Sequence, residues 1–206
     1  MHMAQKQYRL RRIILILMFP LLTAVSAAGQ SQTYEILFGN NAVGLLEVKQ
    51  DPSGASRRIH IRSRVQSKLF SRMETDIEAV YQHNILIRAR VTRVQAKAND
   101  DNRETLTEKA ERGYNVTRKG VKAPFPVPQI TFCVSDLYFA EPHDIKEVYS
   151  ETMGRFLKIR QLEDGRYALV MQDGKQNFYT YSKGRLALVE INHALGKASF
   201  RLLEKK

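Results

Sequence analysis

Three segments of the chain read RRIHIRSRV (57–65), METDIEAVY (73–81) and ILIRARV (85–91). In each segment apolar residues alternate with charged ones, which is the pattern of a β-strand with one buried and one solvated face. Segments of the same kind, separated by turn residues about every ten positions, continue to the end of the chain. The sequence therefore predicts a mainly β fold, an antiparallel meander of about 10–11 strands that forms a closed or half-open barrel.

The charges on these three segments indicate how the strands pair. An acidic segment lies between two basic ones, so tight turns would place opposite charges side by side. The expected pairs are Arg62 with Asp76, Arg64 with Glu74, Glu78 with Arg88, and Asp76 with Arg90. Such pairs would neutralise a basic patch and leave a solvated charged face. Because the formal net charge is +12 at pH 7, an anion-binding surface stays open as the alternative.

A proline-rich stretch follows the first half of the strands. Pro124, Pro126 and Pro128 lack backbone donors, so residues 123–129 cannot form a central strand and are expected to cross the fold as an extended segment.

After the prolines the spacing of apolar residues changes. Ile130, Val134, Leu137 and Tyr138 fall at helical spacing, which predicts one short helix near residues 130–139. Cys133, the single cysteine, falls on the same apolar face and is expected in the core rather than at a catalytic site. The adjacent pair Ser135 and Asp136 is expected on the surface of this helix.

Most aromatic residues come after the prolines. If they point into a barrel, they could enclose an apolar ligand, and the alternative is a filled core. The candidate residues for lining such a cavity are Tyr138, Tyr149, Phe156, Tyr167, Tyr179 and Tyr181.

The first 28 residues have the order of a secretory signal peptide: basic residues at 6–12, an apolar run at 13–25 and small residues at 26–28. The apolar run is shorter than the roughly 20 residues that cross a bilayer core. Cleavage near Ala28 or Gln30 is therefore expected, with retention as an uncleaved interfacial segment as the alternative.

The destination of the protein follows from this segment. No cysteine ends the apolar run, so the protein is not expected to be a lipoprotein. Residues 29–206 would form a single β-rich domain that is periplasmic or secreted, without a transmembrane anchor after cleavage.

Two stretches, LYFAEP (137–142) and YSETMGRF (149–156), are similar to the signature of an uncharacterised family of exported Bacteroidota proteins that carry a domain of unknown function. The later hairpins resemble that family too, at 167–169, 173–174, 177–179 and 183–186. The resemblance implies an exported single domain and implies no activity, cofactor or site residue.

No residue pattern indicates an enzyme, a metal site, a nucleotide cofactor or nucleic-acid binding. The four histidines after the signal segment are widely spaced, and neither a glycine-rich phosphate loop nor a nucleophile elbow occurs. We therefore expect a non-enzymatic protein that binds a lipid or another apolar or amphiphilic ligand inside a barrel-like sheet. The alternative is a structural or interaction module with a packed interior, which binds an envelope protein or glycan through its surface.

Overall fold

The computed structural model describes residues 29–66, 72–95, 103–193 and 196–204. The predicted signal peptide, residues 1–28, lies outside the described residues. Within the described ranges, no helix has the length and apolar character needed to cross a membrane.

The described chain forms fourteen strands joined in one antiparallel sheet, in the order β8-β7-β6-β5-β4-β3-β2-β1-β14-β13-β12-β11-β10-β9. The strands are β1 (Gln30–Phe38), β2 (Asn41–Ser53), β3 (Ser56–Val65), β4 (Met73–Gln82), β5 (Ile85–Gln95), β6 (Arg103–Lys109), β7 (Tyr114–Arg118), β8 (Val121–Phe125), β9 (Glu147–Ser150), β10 (Arg155–Gln161), β11 (Tyr167–Val170), β12 (Gln176–Ser182), β13 (Arg185–His193) and β14 (Gly196–Leu202). The predicted antiparallel meander is confirmed. No hydrogen-bonded ladder joins the described parts of β8 and β9, so the barrel is half open.

The strand β8 contains part of the predicted crossing segment. Pro124 lies inside β8 opposite Asn115 of β7, and β8 forms one edge of the sheet. An edge strand tolerates proline because the missing N–H faces no neighbouring strand. The extended crossing therefore begins after Phe125, three residues later than the sequence suggested.

The charge pairing between β3 and β4 agrees with the sequence. Arg62 lies opposite Asp76, and Arg64 lies opposite Glu74. The Nε atom of Arg62 is 3.0 Å from Oδ2 of Asp76. The predicted register of β3 and β4 is therefore confirmed, and so is the ion pair of Arg62 with Asp76. Glu74, in contrast, makes its close ion pair with Arg72, at 2.5 Å.

The predicted pairing between β4 and β5 is wrong by two positions. Arg90 lies opposite Glu78 rather than Asp76, and Arg88 lies opposite Val80 rather than Glu78. The cause is a two-residue turn at His83 and Asn84, both with positive φ, followed by a bulge between Val80 and Tyr81.

The bulge also changes which face each β5 side chain occupies. Ile87 was expected on the apolar face but is 39% exposed, whereas its neighbour Leu86 is fully buried. Ile87 is the extra residue of the bulge, since Leu86 lies opposite Tyr81 and Arg88 lies opposite Val80. After Ile87, Ala89 and Val91 return to the buried face. One inserted residue shifts the alternation by one position, as the two-residue period of a strand requires.

The predicted short helix occurs at Val134–Tyr138 as a single 3-10 turn. Cys133, directly before it, is extended, with φ −112° and ψ 171°, and pairs with Tyr149 of β9 in a parallel bridge. The helical spacing of apolar residues therefore combines an extended segment, which buries Ile130, with a short turn, which buries Leu137.

The core lies on the concave face of the sheet, with the 3-10 helix packed against it. The backbone N–H of Leu86 in β5 donates to the carbonyl of Ile130 at 2.8 Å, and that of Tyr149 donates to the carbonyl of Phe132 at 3.0 Å. The crossing segment thus connects both halves of the sheet. The largest fully buried side chains are Tyr34, Tyr81, Tyr114, Tyr149, Ile59, Leu86, Ile130, Leu137, Leu169, Leu186, Val48 and Val148.

Candidate functional site

A group of polar side chains lies inside the core, around the 3-10 helix. This inner polar cluster consists of Arg57, Tyr81, Cys133, Ser135, Asp136 and Glu151. Asp136 is 3% exposed and Ser135 is 1% exposed, so the expectation that they lie on the helix surface is wrong. They turn inward because the polar side of the helix faces partners on β3, β4 and the β9–β10 turn instead of water.

Asp136 is the centre of the cluster. Its Oδ1 atom accepts a hydrogen bond from Nη1 of Arg57, and its Oδ2 atom accepts from the Tyr81 hydroxyl at 2.6 Å. Oδ2 also accepts the backbone N–H of Cys133 at 2.7 Å. Charge-assisted hydrogen bonds of this kind offset the cost of burying a carboxylate. Asp136 therefore fastens the helix to two strands of the sheet.

Arg57 holds its position through a second contact. The guanidinium carbon lies 3.9 Å from the centre of the Tyr81 ring, which is a cation–π distance. Both residues belong to the side of their strands that faces the core, since Arg57 alternates in register with Ile59 and Ile61 of β3. That alternation was the one sequence feature that could have indicated that the Arg57 side chain points into the core.

Glu151 is the second buried carboxyl group, at the turn between β9 and β10. Its Oε1 atom accepts the backbone N–H of Ser135 at 3.1 Å. Burial raises the pKa of Glu151 to about 7, and the neighbouring Asp136 carboxylate acts in the same direction, while hydrogen bonds from Ser135 act against it. No sequence pattern distinguished this glutamate from a surface residue.

Cys133 lies in the core, as the sequence indicated. Burial raises the pKa of its thiol well above the usual value, and the carboxylates of Glu151 and Asp136 add to that effect. The nucleophilic form of cysteine is the thiolate, so this environment keeps the side chain unreactive. His143, ten residues further along the chain, lies beside Glu141 and Tyr167.

The six aromatic residues proposed to line a cavity fall into two groups. Tyr149 and Phe156 pack edge to face at 5.6 Å and contact Phe125 of β8. The other four, Tyr138, Tyr167, Tyr179 and Tyr181, lie on or beside the 3-10 helix, β11 and β12. Tyr167 and Tyr181 are in edge contact at 5.7 Å. All six belong to the packed core or contact it.

Two grooves lie on the outer face, defined here as the charged side of β2–β5 opposite the core. One has a volume of about 400 Å³ and is lined by residues that include Leu45, Arg62, Arg64 and Glu74. The other has a volume of about 410 Å³ and is lined by Lys49, Asp51, Arg58, His60, Asp76, Glu78, Arg90 and Thr92. Among the described residues, no three His, Cys, Asp or Glu side chains lie together in an arrangement that could hold a metal ion.

Comparison with curated proteins found no match, and comparison with solved structures found none. A family model described as a domain of unknown function matches residues 34–203, which extend from β1 to just past β14. Because this match covers more than half of the chain, the protein belongs to the DUF6134 family.

Proposed function

We propose that this protein is an exported, non-enzymatic interaction module that keeps a packed interior and binds a protein of the cell envelope through its outer face. The observation that carries the proposal is the state of the interior. The concave side of the sheet, where the sequence suggested a ligand cavity, is occupied by side chains of the crossing segment, the 3-10 helix and β9.

The hydrogen bonds of the tyrosine hydroxyl groups support an interior that the chain itself fills. A tyrosine that binds a ligand through its hydroxyl needs that hydroxyl without an internal partner, whereas the hydroxyl of a core tyrosine hydrogen-bonds to its own chain. Five tyrosines of the concave side bond within the chain: Tyr34 to the Leu186 carbonyl at 3.0 Å, Tyr81 to Asp136 at 2.6 Å, Tyr114 to the Leu86 carbonyl at 2.9 Å, Tyr149 to Thr107 at 2.7 Å and Tyr181 to the Leu137 carbonyl at 2.7 Å.

The mixed charges of the outer face favour a protein as the partner. It carries both signs of charge in alternation, for example Arg62 against Asp76 at 3.0 Å and Arg90 against Glu104 at 2.6 Å. A partner protein with alternating charges of its own would exchange these surface pairs for pairs across an interface, and such complementarity fixes orientation and specificity. Among the described residues that line the two grooves there is no Phe, Tyr or Trp, the side chains on which sugar rings usually stack.

The proposal of export depends on the order of segments in the first 28 residues. Cleavage after Ala28 would keep the whole of β1, whose first residue Gln30 pairs with Gln50. Cleavage after Gln30 would remove that pair. We therefore infer Gly29 as the first residue of the exported protein, which an intact-mass measurement on protein recovered from the source cells would check.

The interior is tested with the purified full chain. Native mass spectrometry under gentle conditions is expected to give the mass of the chain alone, and titration with the fluorescent apolar probe N-phenyl-1-naphthylamine is expected to show no saturable binding. Stoichiometric probe binding that a fatty acid displaces would overturn the proposal and support a carrier of apolar ligands.

The outer face is tested by sedimentation of the protein with isolated envelopes of the source organism. We expect binding that protease treatment of the envelopes removes and that Asp76→Lys weakens at least tenfold. Asp173→Lys, a charge reversal at the exposed turn after β11, is the matched control and should bind normally. Loss of binding after glycan digestion instead would support a glycan partner, and absence of binding would overturn the proposal.

A further inference from the structure

The inner polar cluster contains two buried carboxyl groups and one cation. Arg57 directs its guanidinium at Asp136 and stacks on Tyr81. Asp136 also receives the Tyr81 hydroxyl and the Cys133 N–H, so its negative charge is fully compensated. The pair formed by Arg57 and Asp136 is neutral, which leaves no cation of the cluster for Glu151.

Glu151 is 2% exposed, and its Oε1 atom accepts the backbone N–H of Ser135 at 3.1 Å. The Ser135 hydroxyl and the N–H of Glu151 itself also favour the ionised form, but burial outweighs these hydrogen bonds and raises the pKa. The buried Ser135 hydroxyl has no hydrogen-bond partner of regular geometry among the described residues. An uncharged Glu151 carries a proton that it can donate locally, whereas an ionised one adds an uncompensated negative charge to the core. Burial of an unpaired charge is strongly unfavourable.

Among the described residues, the groups that act most strongly on Glu151 are acids or neutral, and Arg155 of β10, the basic residue nearest to it in sequence, is not one of them. The 3-10 helix contributes Asp136 and Tyr138, the segment before it contributes Cys133, β4 contributes Tyr81, β9 contributes Tyr149 and β12 contributes Tyr179. Each of them disfavours a negative charge on Glu151 or offers no positive charge to balance it. Proton binding is therefore the way in which this site becomes neutral.

We propose that Glu151 is a pH-sensing group: its buried carboxyl group holds a proton in the folded protein, and its ionisation weakens the attachment of the β9–β10 turn to the 3-10 helix. This property belongs to the fold and does not depend on the proposed interaction with an envelope protein.

The direction of the effect follows from the pKa of Glu151, which burial raises from 4.5 to about 7. The stabilising contribution of the bound proton is fully present below about pH 4.5. It is lost as the pH rises through about 7, and it does not change further above that value. In this window the contribution of Glu151 multiplies the unfolding equilibrium constant by about ten for each pH unit.

The experiment is urea unfolding of the full chain at pH 5, 6, 7 and 8, compared between the wild type and Glu151→Gln. Glutamine keeps the acceptor for the Ser135 N–H and cannot ionise. We expect the change in the unfolding constant between pH 5 and 7 to be about 40-fold smaller in the variant. Asp164→Asn, at an exposed turn, serves as the control that keeps the steep dependence. Parallel pH profiles of wild type and Glu151→Gln would overturn the proposal.

Two further measurements keep the proposal testable if Glu151→Gln does not fold. In wild-type protein with ¹³C-labelled glutamate carboxyls, one resonance is expected to titrate near pH 7, and titration of all of them near pH 4.5 would overturn the proposal. Hydrogen exchange of the Ser135 amide, corrected for intrinsic rates, should accelerate at least tenfold between pH 6 and 8. An unchanged protection factor would show that ionisation does not loosen the helix.

Discussion

The hydroxyl of Tyr81 in β4 donates to Oδ2 of Asp136 in the 3-10 helix at 2.6 Å. The same oxygen accepts the backbone N–H of Cys133 at 2.7 Å, and the other carboxylate oxygen accepts from Arg57 of β3. A single buried side chain thus holds together two neighbouring strands, the crossing segment and the helix. The concave face is fixed by this polar attachment as well as by apolar packing.

Replacing Asp136 with alanine is expected to destabilise the protein by about 3–5 kcal/mol, because Arg57 would be left partly buried without its counter-ion. Tyr81→Phe removes one hydrogen bond and should cost about 1–2 kcal/mol. Urea unfolding measures both changes. Asp164→Ala, at an exposed turn, should change stability by at most about 0.5 kcal/mol. A cost below about 1 kcal/mol for Asp136→Ala would contradict this role.

Gly154 marks the place where the β9–β10 turn meets β7. Its φ is +64°, and a Cβ atom there would lie 2.6 Å from Cγ1 of Val116. Gly154→Ala is therefore expected to cost about 2–4 kcal/mol, from the left-handed backbone and the steric overlap together. Gly165 has φ +82° with nothing within 4 Å of its Cβ position, so Gly165→Ala should cost only about 1–2 kcal/mol.

Thermal unfolding of the two alanine variants side by side separates the two effects. The difference between them reports the contact of the turn with Val116, since the backbone penalty is common to both. Equal destabilisation by the two substitutions would show that β7 and the turn are not in close contact. Val116→Ala combined with Gly154→Ala should recover part of the loss, because it removes the methyl group that overlaps.

Alternation along the strands was sufficient to predict the antiparallel meander and the pairing of β3 with β4. Arg62 and Asp76 stand opposite each other because nothing interrupts the two-residue period between them. The pairing of β4 with β5 was not predictable in the same way. The bulge that places Ile87 outside depends on how the strands coil around the core, and the local sequence carries no signal for it.

The candidate site was mostly hidden from sequence reasoning for a different reason. Asp136 and Glu151 are carboxylates, which are almost always exposed unless they find partners, and their partners are supplied by distant parts of the chain. Arg57 is 79 positions before Asp136. Cys133 was predicted correctly because a lone cysteine on an apolar face packs like a small hydrophobic residue.

The thiol of Cys133 is expected to be inert in the native protein. It is fully buried, and burial raises its pKa well above the usual value, so the thiolate that attacks a disulfide reagent is scarce. Reaction with a coloured aromatic disulfide should proceed at least 100-fold more slowly in native buffer than in concentrated urea. Rapid native labelling would show that the crossing segment opens readily or that the thiol is activated.

The ion pair between Arg62 and Asp76 tests the outer face in a way that separates stability from recognition. Partial burial acts to raise the pKa of Asp76, but hydrogen bonds from His60 and Arg62 outweigh it and lower that pKa. Both side chains are still more than a third exposed, so solvent screens their attraction.

A double-mutant cycle with Arg62→Ala and Asp76→Ala should give a coupling energy of about 0.2–1 kcal/mol, which falls further in 1 M salt. A coupling above about 2 kcal/mol would mean that the outer face contributes substantially to holding the fold. A small coupling together with the tenfold loss of envelope binding expected for Asp76→Lys would mean that these charges act mainly in recognition.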